Sequence, residues 1–169
     1  MLLLARGLCD RQLENRMRQK TQMPSELRAL MSAHIEAENA HNMPGTLATL
    51  HEECVFEDVA TGQVFHGRAG ADAYYRQWWD AFGLVFAREG EDRGYWTEDG
   101  IGIGEGRFLG THIGNFLGIP ATGKPVKFRF TVLVTFRDGL MAGERFYYDL
   151  VGVLNQIGAI GWPLKLATS

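Results

Sequence analysis

Cysteine, long apolar runs and net charge are all scarce in this chain, and each scarcity removes a class of function. The two cysteines, Cys9 and Cys54, stand far apart with no metal-ligand spacing. Neither a disulfide framework nor a metal site is therefore expected, and a reducing, cytoplasmic setting is the default. A formal charge of −3 and an isoelectric point near 5.9 offer no basic surface to a nucleic acid. The apolar opening, Met1 to Ala5, is too short for a signal-peptide core. No run approaches the roughly 18 apolar residues of a membrane span, so no membrane partner is expected.

What is present suits one soluble domain. The 169 residues are 46% apolar and 22% charged, enough to bury a core without covalent staples. Glycine is abundant, at 21 residues, which marks turns and interrupted strands.

Residues 1–22 carry five basic side chains (Arg6, Arg11, Arg16, Arg18, Lys20) against Asp10 and Glu14, a balance of +3; the rest of the chain carries −6. They read as a basic leader, disordered or forming an extra helix, ahead of a domain over 23–160 and a tail over 161–169. Helical periodicity begins at Leu27, Leu30, Met31 and Ile35, with Ser25 as N-cap. A second short helix runs from Pro44 to His51, and a short strand follows at Val55–Asp58. A third helix, about Arg68 to Phe82, presents Ala71, Tyr74, Tyr75, Trp78 and Phe82, with Trp79 beside them. Strands follow at Leu84–Arg88, Ile101–Thr111, Val126–Phe136 and Leu140–Tyr148, the last two joined by the hairpin signal Arg137-Asp138-Gly139. A helix at Leu150–Ile157 closes the domain before Gly158. Helices first and strands afterwards indicate α+β with an antiparallel sheet. If Gly102, Gly104, Gly106 and Gly110 kink their strand, the sheet curves and encloses a cavity with the helices. Tyr75, Trp78, Trp79 and Phe82 are then candidates to line it.

The stretch Gly110-Thr111-His112 through Gly123-Lys124-Pro125-Val126 resembles the signature of the SnoaL-like polyketide cyclase (ester cyclase) family. So do Phe136-Arg137-Asp138-Gly139 followed by Glu144, and Tyr148-Asp149-Leu150 through Gly158. The resemblance covers about Pro24 to Gly158. It implies an NTF2-like cone of three helices packed on a strongly curved antiparallel sheet, usually a homodimer. It implies acid/base chemistry on a hydrophobic, carbonyl-bearing small molecule, with an intramolecular aldol closure as the named activity and no cofactor. A non-catalytic binding or dimerisation module, and an isomerase or hydrolase, are alternatives on the same fold.

The resemblance places the acid/base role on Asp149, and an aldol closure needs such a base and a donor to the developing oxyanion. Asp149 is equally placed to cap the helix that follows it. His112, in the Gly-Thr-His motif, is a candidate donor or an exposed loop histidine. Tyr147 shares a strand face with Arg145 and Asp149, so it could donate to substrate, while Arg145 could neutralise Asp149. Arg129 lies on the mixed face Lys127, Arg129, Thr131, Leu133 and Thr135 and could hold a carboxylate if that face looks inward. Asp58 is similar in place to the base of ketosteroid isomerases, or is a turn residue before Ala60-Thr61-Gly62. His34 and Glu38 continue the apolar stripe of the first helix, and polar groups there need partners or a wet cavity. Cys54 reads as a small buried hydrophobe.

Overall fold

The computed structural model describes residues 22–87 and 94–160. The expected leader, apart from Gln22, and the expected tail from 161 onward lie outside the described residues, as does Arg88 of the expected Leu84–Arg88 strand. In chain order the elements are α1 (Ser25–Asn39), α2 (Met43–Ala48), β1 (Leu50–Asp58), β2 (Gln63–His66), α3 (Gly67–Phe82) and β3 (Val85–Ala87). These are followed by β4 (Gly94–Trp96), β5 (Gly102–Thr111), β6 (Pro125–Arg137), β7 (Leu140–Tyr148) and α4 (Leu150–Ile157).

The helices begin and end for local chemical reasons. Pro24, not Ser25, holds the cap position of α1, and it makes no side-chain cap bond. The Asn42 side chain caps α2 by accepting from the Gly45 N–H at 3.2 Å. Helix α3 stops at Gly83 and α4 at Gly158, both in the left-handed conformation that ends helices without a Cβ clash. Helix α1 is tied down at its far end. The Asn39 side chain donates to the Phe86 carbonyl at 3.2 Å and accepts from the Phe86 N–H at 2.6 Å, fastening the helix to β3.

The sheet runs β2-β1-β7-β6-β5-β3, with β4 also pairing β5. All of its pairings are antiparallel except β1 with β7, which run parallel. The antiparallel expectation therefore holds for the β5-β6-β7 body and not for the step to β1, which long connections separate from β7 in sequence. Strands β2 and β4 have four and three residues, too short to register as alternating patterns.

One face of the sheet is apolar. Phe128 and Val134 of β6, Phe146 of β7, Phe56 of β1 and Phe108 of β5 are buried against Tyr74, Tyr75, Trp78 and Phe82 of α3. Each such side chain contributes about 1.5–3 kcal/mol on burial, which decides the face that turns inward. Lys127, Arg129 and Thr135 consequently face outward and are exposed. The glycines of β5 do not break it, since all ten residues pair with β6. Gly106 instead makes room for rings: a methyl group there would overlap Phe86 and Phe130.

Candidate active site

Between α1 and the inner face of β5, β6 and β7 lies a cavity of about 800 Å³, ample for a drug-sized molecule. Its wall is largely apolar, with Met31 and Ile35 of α1 facing Phe108, Phe130 and Val132 of the sheet, and Trp96 nearby. Arg28 of α1 and Glu105 of β5 also contribute to the lining, and three buried titratable side chains share it: His34 and Glu38 of α1, and Glu144 of β7. The helix supplies the first two because four residues bring a side chain back to the same face. The strand supplies the third because Glu144 pairs with Val134 on one side and Phe56 on the other, and so points inward with them.

His34 is 1% exposed and fully engaged. Its Nδ1 lies 2.7 Å from Thr49 Oγ1, and the Tyr75 hydroxyl lies 3.0 Å from its Nε2. The Thr49 hydroxyl donates to the Thr46 carbonyl at 2.6 Å. Burial pushes the His34 imidazole down to about 4, so it is neutral at ordinary pH. Glu144 Oε1 lies 3.9 Å from His34 Nε2, close but beyond hydrogen-bonding reach.

The two carboxyl groups behave in the opposite way. Burial raises Glu38 to about 7. Burial, reinforced by the negative charge of Glu38, raises Glu144 to about 8. Two buried carboxyls that face one cavity cannot both ionise cheaply, so between them a proton is retained at neutral pH. One carboxyl is then an acid and the other a base, which is the division that general acid/base catalysis requires.

Of the residues singled out in the sequence, His34 lines this cavity, and Tyr75 stands behind it through the hydrogen bond to Nε2. Trp78 and Trp79 belong to the buried aromatic core, where with Tyr75 they wall a small void behind Glu38. The other candidates are held elsewhere. Asp149 is exposed and caps α4, accepting from the Gly152 N–H at 2.8 Å. Arg145 is exposed and pairs with Glu57 at 2.6 Å, not with Asp149. Tyr147 sits opposite Thr131 on the outward-facing side of the sheet, as Arg129 does opposite Arg107.

His112 is neither an exposed loop residue nor a lining group. It is wholly buried, stacked on Phe82 at 5.1 Å, with Nδ1 3.0 Å from Thr122 Oγ1. Asp58 is also wholly buried. It accepts from the Thr61 N–H at 3.0 Å and from the Tyr148 hydroxyl at 3.2 Å, which makes it a turn-closing residue away from the cavity wall. Cys54 is buried, and desolvation raises its thiol, as befits a small apolar residue. Among the described residues no three His, Cys, Asp or Glu side chains cluster as metal ligands, and no helix is long and apolar enough to cross a membrane.

Glu144 was legible in the sequence only as part of the Arg137-Asp138-Gly139…Glu144 motif, and Glu38 only as a polar break in an apolar stripe. The signal that unites them is spatial: a helix and the last strand meet across the cavity.

The model of the SnoaL-like polyketide cyclase family matches residues 28–157. Among solved structures, the chain is similar to a candidate SnoaL-like polyketide cyclase from Jannaschia sp. CCS1, at 20% identity and a TM-score of 0.71, over 82% of this chain and 96% of that one. It is similar to a candidate polyketide cyclase from Pseudomonas putida KT2440, at 24% identity and a TM-score of 0.66, over 75% and 94%. A protein of ketosteroid isomerase-like fold from Catenulispora acidiphila DSM 44928, solved with trimethylamine, is similar at 17% identity and a TM-score of 0.64, over 81% and 95%. At these identities the likeness shows the fold, which is the expected NTF2-like α+β cone. No curated protein matches the sequence.

Proposed function

Starting from the SnoaL-like polyketide cyclase family, to which this chain belongs, we propose that it is an acid/base catalyst for a hydrophobic, carbonyl-bearing small molecule, with Glu38 as base and Glu144 as acid. The observation that carries this reading is two buried carboxyls, one from α1 and one from β7, facing a single cavity beside a neutral histidine, with burial raising both toward neutral pH.

In an intramolecular aldol closure, ionised Glu38 removes a proton alpha to one carbonyl. The C–H electron pair becomes the enolate, whose carbon attacks a second carbonyl within the same molecule. Glu144 gives its proton to the oxygen that gains charge in that attack. The product leaves Glu38 protonated and Glu144 ionised. One proton passed between them restores the starting state. The apolar wall serves the same step by excluding water and holding the ligand near the pair.

The first half of this chemistry can be tested without the natural substrate. Alpha-proton exchange of 2-tetralone and related cyclic ketones in D2O is followed by NMR, with wild type, Glu38→Gln and Glu144→Gln. Exchange above background in the wild type, lost in Glu38→Gln and reduced in Glu144→Gln, is the expected result. Ketones that bind in the cavity and exchange no faster than in buffer would overturn the catalytic reading and leave a binding module of the same fold.

A further inference from the structure

We propose that Thr49 is a positioning residue: it locks His34 in the tautomer protonated on Nδ1, and so leaves Glu144 as the member of the pair that carries the proton. The inference rests on the acid role given to Glu144 above.

The direction of each hydrogen bond follows from counting protons. The Thr49 hydroxyl has a single hydrogen, and it is given to the Thr46 carbonyl at 2.6 Å. Toward His34, 2.7 Å away, Thr49 Oγ1 can therefore only accept. The donor there must be His34 Nδ1–H. Neutral imidazole has one N–H, so Nε2 bears a lone pair. The Tyr75 phenol, which burial holds protonated far above ordinary pH, donates to that lone pair at 3.0 Å.

The consequence falls on Glu144, whose Oε1 lies 3.9 Å from the same Nε2. An N–H on Nε2 would favour the Glu144 carboxylate, and a lone pair offers it nothing. The other groups acting around Glu144 bring no positive charge to it. They are Glu38 from α1, Tyr74 and Tyr75 from α3, and Cys54 from β1. The first is an acid, and burial weakens the acidity of the other three, so they stay uncharged at ordinary pH. The Thr46–Thr49–His34 chain thus acts on the acid by turning the lone-pair end of the imidazole dipole, and not an N–H, toward Glu144 at 3.9 Å. Thr49 touches neither the cavity nor Glu144, which makes it a positioning group.

The test is a two-bond ¹⁵N–¹H correlation spectrum of the histidine rings, with His34 assigned by its loss in His34→Gln. In the wild type at pH 7 the expected pattern is protonated Nδ1 and bare Nε2. Thr49→Ser, which keeps the hydroxyl, should retain it. Thr49→Val should populate the Nε2–H form and lower the Glu144 midpoint, read by carboxyl ¹³C shifts, by about one pH unit. The ketone-exchange profile should move with it.

A wild-type spectrum showing Nε2–H would overturn the proposal even if Thr49→Val failed to fold. An unchanged tautomer and midpoint in a folded Thr49→Val would do the same. Failure of the catalytic reading looks different: Glu144→Gln would keep full exchange activity while the histidine pattern stayed as expected.

Discussion

Replacing Glu144 by Gln should make the protein more stable, and increasingly so as the pH rises. Glutamine keeps the size and hydrogen-bonding capacity of the side chain and removes only its ionisation. In the folded chain the Glu144 midpoint is raised from 4.5 to about 8. Below 4.5 both folded and unfolded chains hold the proton, and the stability associated with this group is fully present. As the pH climbs toward 8 the unfolded chain ionises and the folded one does not, so that stability is lost. Above about 8 the loss is complete and constant. At about 1.4 kcal/mol per pH unit, the interval sets a ceiling of about 5 kcal/mol. The side chain is 13% exposed, and water entering the cavity relaxes part of the penalty, so a gain of about 2–4 kcal/mol at pH 9 is the working figure. The assay is urea denaturation of wild type and Glu144→Gln at pH 5, 7 and 9, read as the difference between the two proteins so that other titrations cancel. A variant no more stable than wild type at pH 9, or a difference that does not grow with pH, would refute the claim that Glu144 is an ionisable group held in an apolar setting.

Two further substitutions test how the fold serves the site. Asp149→Ala should lose about 0.5–2 kcal/mol of stability in denaturant titration, the usual cost of an N-cap, because Asp149 accepts from the Gly152 N–H. It should leave ketone exchange unchanged, whereas a collapse of exchange in a stable variant would return Asp149 to the catalytic role the family resemblance gives it. Gly143→Ala places a methyl group against the Val55 carbonyl oxygen, across the β1–β7 pairing. A loss of about 2–4 kcal/mol is expected, with weaker exchange activity in whatever folds, since the next residue is Glu144. Wild-type stability in this variant would mean that the close approach of the two strands is not needed.

Much of the fold follows from local pattern. The periodicity of α3, the Asp-Gly turn between β6 and β7, and Gly158 at the end of α4 each correspond to an observed element or boundary. These signals are short-range and carry their own cause. Three features lacked such a cause. Strands β2 and β4 are too short to show alternation. The parallel pairing of β1 with β7 joins segments about ninety residues apart, as Phe56 and Glu144 are, and no local rule sets such a contact. Ser25 has the chemistry of a cap, but the proline before it occupies the cap position with suitable extended dihedrals.

The site was harder to read, and β7 shows why. Strict alternation joins Arg145, Tyr147 and Asp149 on one face, and that grouping stands. Which face looks inward is a separate matter. Between Phe136 and Val134 β6 advances two residues, while its partner β7 moves three, from Met141 to Glu144. The extra residue is a bulge, and Gly143 sits in it with φ of 158° and no Cβ to collide with β1. Met141 and Glu144 therefore both point into the molecule although their spacing is odd. Carried past the bulge without correction, the pattern from Met141 through Gly143 puts Arg145 inside and Glu144 out in solvent. A single unpaired residue thus exchanges a guanidinium for a carboxyl at the cavity wall. With the guanidinium inside, Glu38 would have had a cationic neighbour and a lowered midpoint. With the carboxyl inside, Glu38 and Glu144 are two buried acids on one cavity, and both hold their protons toward neutral pH. The acid/base character of the cavity is in this sense a property of the bulge as much as of the two glutamates.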